Sequence, residues 1–218
     1  MTHPLKNSAL IVVDIQPDFL PGGALACYQA DRIMPGVNAL VQQGGFACMV
    51  ATQDWHPAGH ISFASSHPGS QAFNTISLYD QPQTLWPDHC VQGTPGASLA
   101  TGIHWDAMNL IIRKGSDPQV DSYSAFQENF GPNGQRPSTG LAGYLRERQV
   151  EQVYLVGLAR DVCVLWSAQD AQTLGFNAHI IWDLCAPVTP ESDANTRQRC
   201  EELGINIIQS AELLAANA

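Results

Sequence analysis

One cysteine occupies a position at which a thiol can act as a nucleophile. Cys163 lies in residues 157–164, after a β-branched stretch that predicts a strand over 150–156 and at the start of a helical pattern over 162–174. A thiol in the first turn of a helix meets unpaired backbone N–H groups and the positive end of the helix dipole, and both favour the thiolate. Parallel sheets also keep their sites at such strand ends. An isolated cysteine would be interpreted as structural, but other reactive residues also close predicted strands.

Two further ionisable residues close predicted strands. Asp14 ends the first strand, predicted over 8–15, and Lys114 follows the third, predicted over 108–113. Each alone is typical of a turn former or a solvated side chain. The carboxyl ends of adjacent parallel strands share one edge, however, so Asp14, Lys114 and Cys163 can meet there. A carboxylate bonded to the thiol can accept its proton, and the ammonium keeps that carboxylate ionised.

A second group of residues has the composition of a metal site. Asp54 and His56 stand two positions apart at the end of a predicted strand and project to the same side. A later histidine, such as His60 or His89, can complete a face of three ligands. One carboxylate and two imidazoles leave positions open for water or substrate, and they suit Zn²⁺, Fe²⁺ or Mn²⁺ without selecting one. His67, in the same segment, is predicted to lie on the surface.

The elements that must position these residues alternate along the chain. Strands are predicted over 8–15, 46–53, 108–113, 150–156, 178–182 and 205–208, and helices over 31–43, 138–148, 162–174 and 191–203. The apolar runs are continuous, which indicates strands buried on both faces. Alternation of such strands with helices predicts an α/β fold with a parallel sheet and right-handed crossovers.

The residues from about 55 to 101 break this alternation. They are rich in Pro, Gly and His, and so long an irregular stretch inside a compact domain is typical of a functional insertion. We therefore predict a metal-bearing irregular insertion there. No repeat, low-complexity tract or linker divides the chain, and its 218 residues suit one well-buried domain over 1–218.

Charge and cysteine usage exclude several classes of protein. Ten Lys and Arg against 20 Asp and Glu give a formal charge of −10, which argues against a nucleic acid or an anionic membrane surface as partner. No apolar run reaches membrane-spanning length, and the run over 9–13 is too short for a signal peptide. The six cysteines are scattered without a C-x-x-C pair, which predicts a reduced cytoplasmic protein with free thiols.

Taken in order, these segments resemble the nicotinamidases of the isochorismatase-like cysteine hydrolases. The matching motifs are V-V-D-I-Q-P-D-F at 12–19, D-W-H at 54–56, W-P-D-H-C at 86–90, R-K-G at 113–115, D-S-Y-S-A-F at 121–126 and G-L-A-R-D-V-C-V at 157–164. The resemblance extends from residue 8 to about residue 208. The D-W-H and W-P-x-H-C motifs are its most specific part, because isochorismatases and N-carbamoylsarcosine amidases share the sheet but lack that metal set.

The resemblance implies a fold, a reaction and a catalytic triad. The fold is a six-stranded parallel sheet in the order 3-2-1-4-5-6 with helices on both faces. The reaction is hydrolysis of nicotinamide to nicotinate and ammonia in NAD salvage, and pyrazinamide is a second substrate. By match to the motifs, Cys163 is the nucleophile, Asp14 accepts and returns its proton, and Lys114 is the third member.

The same match assigns the remaining site residues. Asp54, His56 and His89 bind one divalent metal ion, most often zinc, and the backbone N–H groups of Ala159 and Cys163 form the oxyanion hole, with a cis peptide often preceding the residue at position 159. The residues matched to the aromatic box around the pyridine ring are Phe19, Trp86 and Tyr123.

Two positions leave questions open. Arg160 stands where family members usually carry Thr, and the sequence leaves open whether its charge alters substrate access; His60 is not counted as a ligand. The alternatives are another cysteine amidohydrolase of this fold that acts on a different small amide, and a metal-holding protein without turnover. The sequence leaves the protein as either a monomer or a homo-oligomer.

Overall fold

A six-stranded parallel sheet forms the centre of the protein. The computed structural model describes residues 5–215, and the paired strands among them are β1 (Ser8–Val13), β2 (Cys48–Asp54), β3 (Thr75–Leu78), β4 (Gln81–Thr84), β5 (Leu110–Lys114), β6 (Gln152–Leu158), β7 (Asn177–Ala186) and β8 (Asn206–Ile208). The sheet order is β5-β2-β1-β6-β7-β8, with each neighbouring pair parallel. Counted along the chain, the six strands run 3-2-1-4-5-6, which confirms the predicted fold.

Helices cover both faces of this sheet. The α-helices of the described residues are α1 (Met34–Gln43), α2 (Leu141–Glu147), α3 (Leu165–Thr173), α4 (Asp193–Leu203) and α5 (Ser210–Ala215). A π-helical turn over Arg160–Val164, here called the nucleophile turn, leads directly into α3. The first four helices match those predicted, whereas α5 was not predicted. No helix among residues 5–215 combines the length and the apolar character that a bilayer span needs.

Successive residues of β1 supply two different cores. Leu10 packs in the core that contains α1, whereas Ile11 packs in the core that contains α2 and α3. Side chains of a strand alternate between the two faces of a sheet, so a strand covered on both faces must be apolar throughout. The edge strand β5 instead alternates, and Ile111 is 45% exposed. The continuous apolar runs in the sequence therefore mark the central strands.

The segment predicted to be irregular contains an antiparallel hairpin, and that part of the prediction is wrong. Strands β3 and β4 pair from Thr75 with Thr84 to Leu78 with Gln81. Tyr79 and Asp80 both have positive φ, as the tight turn of a hairpin requires. The sequence conceals this hairpin because its strands are four residues long, include a proline and end in a turn without glycine.

The carboxyl ends of the strands gather the predicted reactive residues at one edge. Asp54 and Lys114 are register partners in β2 and β5, and Asp14 directly follows β1 between them and β6. Strand β6 leads through a cis peptide bond between Leu158 and Ala159 into the nucleophile turn. The strand order therefore brings residues from four distant parts of the sequence together.

Gly157, in β6, is required by the close approach of β1. Its φ is +117°, and a Cβ atom at this position would lie 2.1 Å from the carbonyl oxygen of Val13. Only glycine tolerates both the backbone conformation and the contact. Strand β6, which precedes the nucleophile turn, can therefore pair with β1 only if position 157 lacks a side chain.

We expect Gly157→Ala to lower the free energy of unfolding by about 2–5 kcal/mol, because backbone strain adds to a clash with β1. Gly143→Ala is the matched control: Gly143 lies within α2 and a Cβ there would meet no atom within 4 Å. That control should stabilise the protein by about 0.5–1 kcal/mol through helix propensity. Urea denaturation measures both, and equal effects of the two substitutions would contradict the structural role of Gly157.

Candidate active site

A single buried ammonium group joins the two predicted groups of residues. Lys114 Nζ lies 2.9 Å from Asp14 Oδ2 and 2.9 Å from Asp54 Oδ1. It also donates a hydrogen bond to the Ser122 carbonyl at 3.0 Å and lies 3.6 Å from the sulfur of Cys163. Burial by itself would lower the pKa of Lys114, but the two carboxylates outweigh it and hold that pKa well above its usual value. The nucleophile and metal groups thus form one electrostatic unit.

Asp14 is held by contacts on both carboxylate oxygens. Its Oδ1 accepts a hydrogen bond from Thr52 Oγ1 at 2.6 Å, and the same hydroxyl accepts from the Asp14 N–H at 3.1 Å. Its φ is +48°, a left-handed conformation that is uncommon outside glycine. Burial raises the pKa of Asp14, and the attraction of Lys114 only partly opposes this. Asp14 is therefore suited to accept and hold a proton.

Cys163 lies in the nucleophile turn and is only 6% exposed. Burial raises the pKa of its thiol well above the usual value, although Lys114 acts in the opposite direction; the charge of Asp14 and a hydrogen bond to it raise the pKa further. Desolvation therefore opposes the helix terminus, which the sequence analysis took to favour the thiolate. A proton acceptor, Asp14, lies beside the thiol.

Three ligand atoms converge at the predicted metal site. His56 Nε2 lies 3.0 Å and His89 Nε2 lies 3.3 Å from the same oxygen, Asp54 Oδ2. His56 Nδ1 faces the Gly115 carbonyl at 3.0 Å, and His89 Nδ1 faces the Pro87 carbonyl at 2.8 Å. Carbonyls accept but cannot donate, so each Nδ1 carries a hydrogen, and Nε2 is the ring atom left to bind a metal ion. This donor set fits a divalent transition metal with open positions.

Asp54 remains ionised in this position. Its backbone is bonded to Gln16, which the sequence analysis did not include in the site. Burial would raise the pKa of Asp54, but His56 and Lys114 hold it well below its usual value. The Gln16 side chain accepts from the Asp54 N–H at 2.7 Å and donates to the Asp54 carbonyl at 2.8 Å. A glutamine just past a strand carries no local signal of this role, because its partner is 38 residues away.

His60 packs against His56, one of the candidate metal ligands. Its ring lies 4.2 Å from that of His56, centroid to centroid. Its Nε2 faces two backbone carbonyls of residues 117–120 at 2.9 and 3.2 Å, and its Nδ1 lies 2.8 Å from Ser62 Oγ. Nε2 is thus the donor, and Nδ1 accepts from Ser62. Although His56, His60 and Asp121 also lie close enough to hold an ion, the lone pair of His60 is already used.

The three residues predicted to box an aromatic ring line one small cavity with Cys163 on its wall. Phe19 packs edge-on against His89 at a centroid distance of 5.5 Å, and Trp86 packs edge-on against Tyr123 at 6.1 Å. The metal-ligand candidates and both predicted oxyanion residues also line this cavity. A thiol, a candidate metal face and flat aromatic walls therefore meet in one cavity.

Gln83, on the hairpin strand β4, fastens the aromatic wall. Its Nε2 donates to Asp121 Oδ2 at 2.6 Å and to the Tyr123 hydroxyl at 3.0 Å. Trp86 Nε1 also donates to that hydroxyl, at 3.2 Å. The unpredicted hairpin thus fixes the Tyr123 hydroxyl, to which Trp86 also bonds. Because the hairpin was not predicted, Gln83 was not predicted as part of the site.

Arg160 does not enter the cavity. Its guanidinium lies over the ring of Trp182 and bonds to the carbonyl of that residue, on the side of β7. Acceptors on β7 hold the side chain in a direction away from the cavity.

Substitutions distinguish the two groups of possible ligands, which are Asp54, His56 and His89 on one side and His56, His60 and Asp121 on the other. We expect His89→Ala to weaken Zn²⁺ affinity by about 10²-fold or more, because it removes one of three ligands. Asp121→Asn, which alters only the other group and keeps the side-chain shape, should weaken it by less than about tenfold. Isothermal titration with Zn²⁺ measures both. A larger loss in Asp121→Asn would assign the ion to the group with His60 instead.

Comparison with known proteins agrees with this arrangement. The model of the isochorismatase domain matches residues 8–212. A nicotinamidase of Acinetobacter baylyi is 47% identical over 212 residues, which is 96% of this chain and 95% of the relative. A solved nicotinamidase and pyrazinamidase of Acinetobacter baumanii has a TM-score of 0.89 and 46% identity, over 95% of this chain and 98% of that one. A Pyrococcus horikoshii pyrazinamidase in complex with zinc has a TM-score of 0.73 and 35% identity, over 93% and 99%. The chain belongs to the isochorismatase family.

Proposed function

We propose that this protein is a nicotinamidase, which hydrolyses nicotinamide to nicotinate and ammonia. The observation that carries the proposal is the single cavity in which the Cys163 thiol, the aromatic wall and the open face of Asp54, His56 and His89 meet. The likeness to curated nicotinamidases over nearly the whole chain supports it. Pyrazinamide, which has a ring nitrogen in the equivalent position, is proposed as a second substrate.

The two parts of the cavity match the two functional ends of the substrate. Nicotinamide is flat and aromatic, and it carries a ring nitrogen at one end and a carboxamide at the other. A divalent ion on Asp54, His56 and His89 would supply a Lewis-acid position for the nitrogen lone pair. Zinc is the proposed ion, because the donors suit it and the Pyrococcus horikoshii relative is in complex with zinc. Holding both ends fixes the distance of the carboxamide from the thiol.

Asp14, Lys114 and Cys163 would perform the first half of the reaction. The Cys163 sulfur attacks the carboxamide carbon while Asp14 takes its proton. The backbone N–H groups of Ala159 and Cys163 bind the resulting oxyanion, a contribution of about 3 kcal/mol per donor in comparable sites. Asp14 then gives the proton to the leaving ammonia, and a thioester remains on the sulfur.

Hydrolysis of the thioester reuses the same residues. Asp14, again ionised, takes a proton from water as its oxygen attacks the thioester carbon, and the proton returns to the departing sulfur. Lys114 carries no proton in this scheme. Its fixed positive charge stabilises the carboxylate form of Asp14 at each stage at which that form is needed, at a distance of 2.9 Å.

We further propose a cytoplasmic role in NAD salvage, performed by a single domain over 1–218 without a nucleic acid or membrane partner. All six cysteines are free and buried, as is usual in a reducing compartment. The net charge of −10 opposes binding to polyanions.

The nucleophile is tested by Cys163→Ala. We expect ammonia release from nicotinamide to fall by about 10⁴-fold or more, because no other group forms the thioester. Cys200→Ala is the matched control, since Cys200 is a buried thiol within α4 and its loss affects packing only. An ammonia assay and a metal analysis are run on each protein. Retained turnover in Cys163→Ala with normal metal content would refute the assignment, and absence of turnover in the wild type would support the metal-holding alternative.

The role of the metal is tested with benzamide, which keeps the ring and the carboxamide but lacks the ring nitrogen. If the ion holds that nitrogen, kcat/KM for benzamide should fall by about 10³-fold or more relative to nicotinamide, whereas pyrazinamide remains a substrate. His89→Ala should reduce this discrimination, because it weakens the anchor. Similar kcat/KM values for benzamide and nicotinamide would show that the ion does not hold the ring.

A further inference from the structure

Arg160 is the first residue of the nucleophile turn and is only 7% exposed. One guanidinium nitrogen donates to the carbonyl of Trp182 at 3.1 Å and to that of Cys185 at 2.9 Å. Another lies 2.6 Å from Asp193 Oδ1. The guanidinium carbon lies 4.0 Å from the centroid of the Trp182 ring. One side chain thus ties the turn to strand β7 and to the first residue of helix α4.

The carbonyls that Arg160 binds lie where β7 leaves its pairing with β6. Leu155 pairs with Ile180, but the next recorded pair is Gly157 with Cys185, so two steps along β6 correspond to five along β7. Such a bulge takes backbone groups out of the ladder, and buried carbonyls then need other donors. The guanidinium supplies two of these bonds. The bulge and the nucleophile turn therefore stabilise each other through one side chain.

The neighbouring residue holds the turn in a second direction. The Asp161 carboxylate accepts hydrogen bonds from the Val188 N–H at 2.9 Å and from Ser192 Oγ at 2.6 Å. These partners lie between β7 and α4, beside those of Arg160. Two adjacent side chains on the turn are thus anchored to the same segment, and the cavity wall formed by Ala159 and Cys163 lies on either side of them in sequence.

We propose that Arg160 is a positioning residue of the active site, which holds the nucleophile turn so that the Cys163 thiol and the N–H groups of Ala159 and Cys163 keep their places on the cavity wall. It does so from outside the cavity, through β7 and α4. The proposal deepens the proposed function, on which its kinetic readout rests. A planar guanidinium suits this role, because it can serve several acceptors in fixed directions, whereas a lysine ammonium cannot reproduce the same fork.

The test compares Arg160→Met and Arg160→Lys with Arg197→Met. Arg197 is the matched control because its guanidinium carbon lies 3.8 Å from the centroid of the same Trp182 ring but belongs to α4, not to the turn. For each variant, kcat and KM for nicotinamide, the alkylation rate of Cys163 by iodoacetamide and the urea midpoint are measured. Mass spectrometry of the Cys163 peptide distinguishes that thiol from the other five.

We expect Arg160→Met to lower kcat by about 10²-fold, because a displacement of about 1 Å at a reacting group has that effect. KM should stay within about twofold, since the ring-binding groups are not moved. Arg160→Lys should recover part of kcat, and Arg197→Met should keep wild-type kcat even if its urea midpoint falls. Folded Arg160→Met with wild-type kcat would overturn the proposal, as would a loss of kcat in Arg197→Met that matches its loss of stability.

Two further measurements apply if Arg160→Met does not fold or if the wild type does not hydrolyse nicotinamide. If Arg160→Met does not fold, Asp193→Asn tests the same ion pair from the side of α4. Wild-type kcat in both Asp193→Asn and Arg160→Lys would then overturn the proposal. If the wild type does not release ammonia from nicotinamide, the proposed function fails, but the positioning role is still measured by alkylation. Arg160→Met should then slow alkylation of Cys163 by about tenfold or more relative to Arg197→Met, and equal rates would refute the role.

Discussion

The ammonium group of Lys114 is the contact on which the rest of the site depends. A buried lysine without partners would lose its charge, because transfer of an ion out of water costs far more than folding can supply. Two carboxylates at 2.9 Å, those of Asp14 and Asp54, prevent this. Removal of the ammonium would leave both carboxylates without this compensating charge in a place without solvent. The strand order β5-β2-β1 is what brings these three residues to one point.

When both carboxylates are ionised, the single charge of Lys114 offsets only one of them, and this favours a cation nearby. The second oxygen of Asp54 faces His56 and His89. A divalent cation at that oxygen would offset the remaining charge. Asp54 therefore has one oxygen at Lys114 and one at His56, so an ion bound at the second oxygen would change the field at Cys163.

The candidate site residues are held in place by side chains to which the proposed reaction gives no chemical role. Gln16 clamps the backbone of Asp54, and Gln83 fastens Tyr123 from the hairpin. Phe63, which is fully buried, packs edge-on against the rings of His56 and His89 at about the same centroid distances, 5.5 and 5.6 Å. These supports come from separate segments of the chain, so the geometry of the site is a property of the whole fold.

The sequence by itself determined the sheet and which ionisable residues meet at its carboxyl edge. Apolar runs report burial, helical patterns report the crossovers, and parallel topology then requires Asp14, Lys114 and Cys163 to reach one edge. The sequence also placed Asp54 and His56 on one side of a strand, because their spacing of two matches its repeat. Such features follow from local periodicity and a general rule of topology.

The tertiary structure alone decided the rest, because it depends on partners that are distant in sequence. The hairpin forms without a recognisable turn motif in the sequence, and its Gln83 bonds to Tyr123, which is 40 positions away. The direction of Arg160 follows from carbonyls on β7 and from Asp193. His60 is a support because backbone carbonyls occupy its Nε2. The protonation of Cys163 depends on how completely the fold excludes water, and local sequence does not encode that quantity.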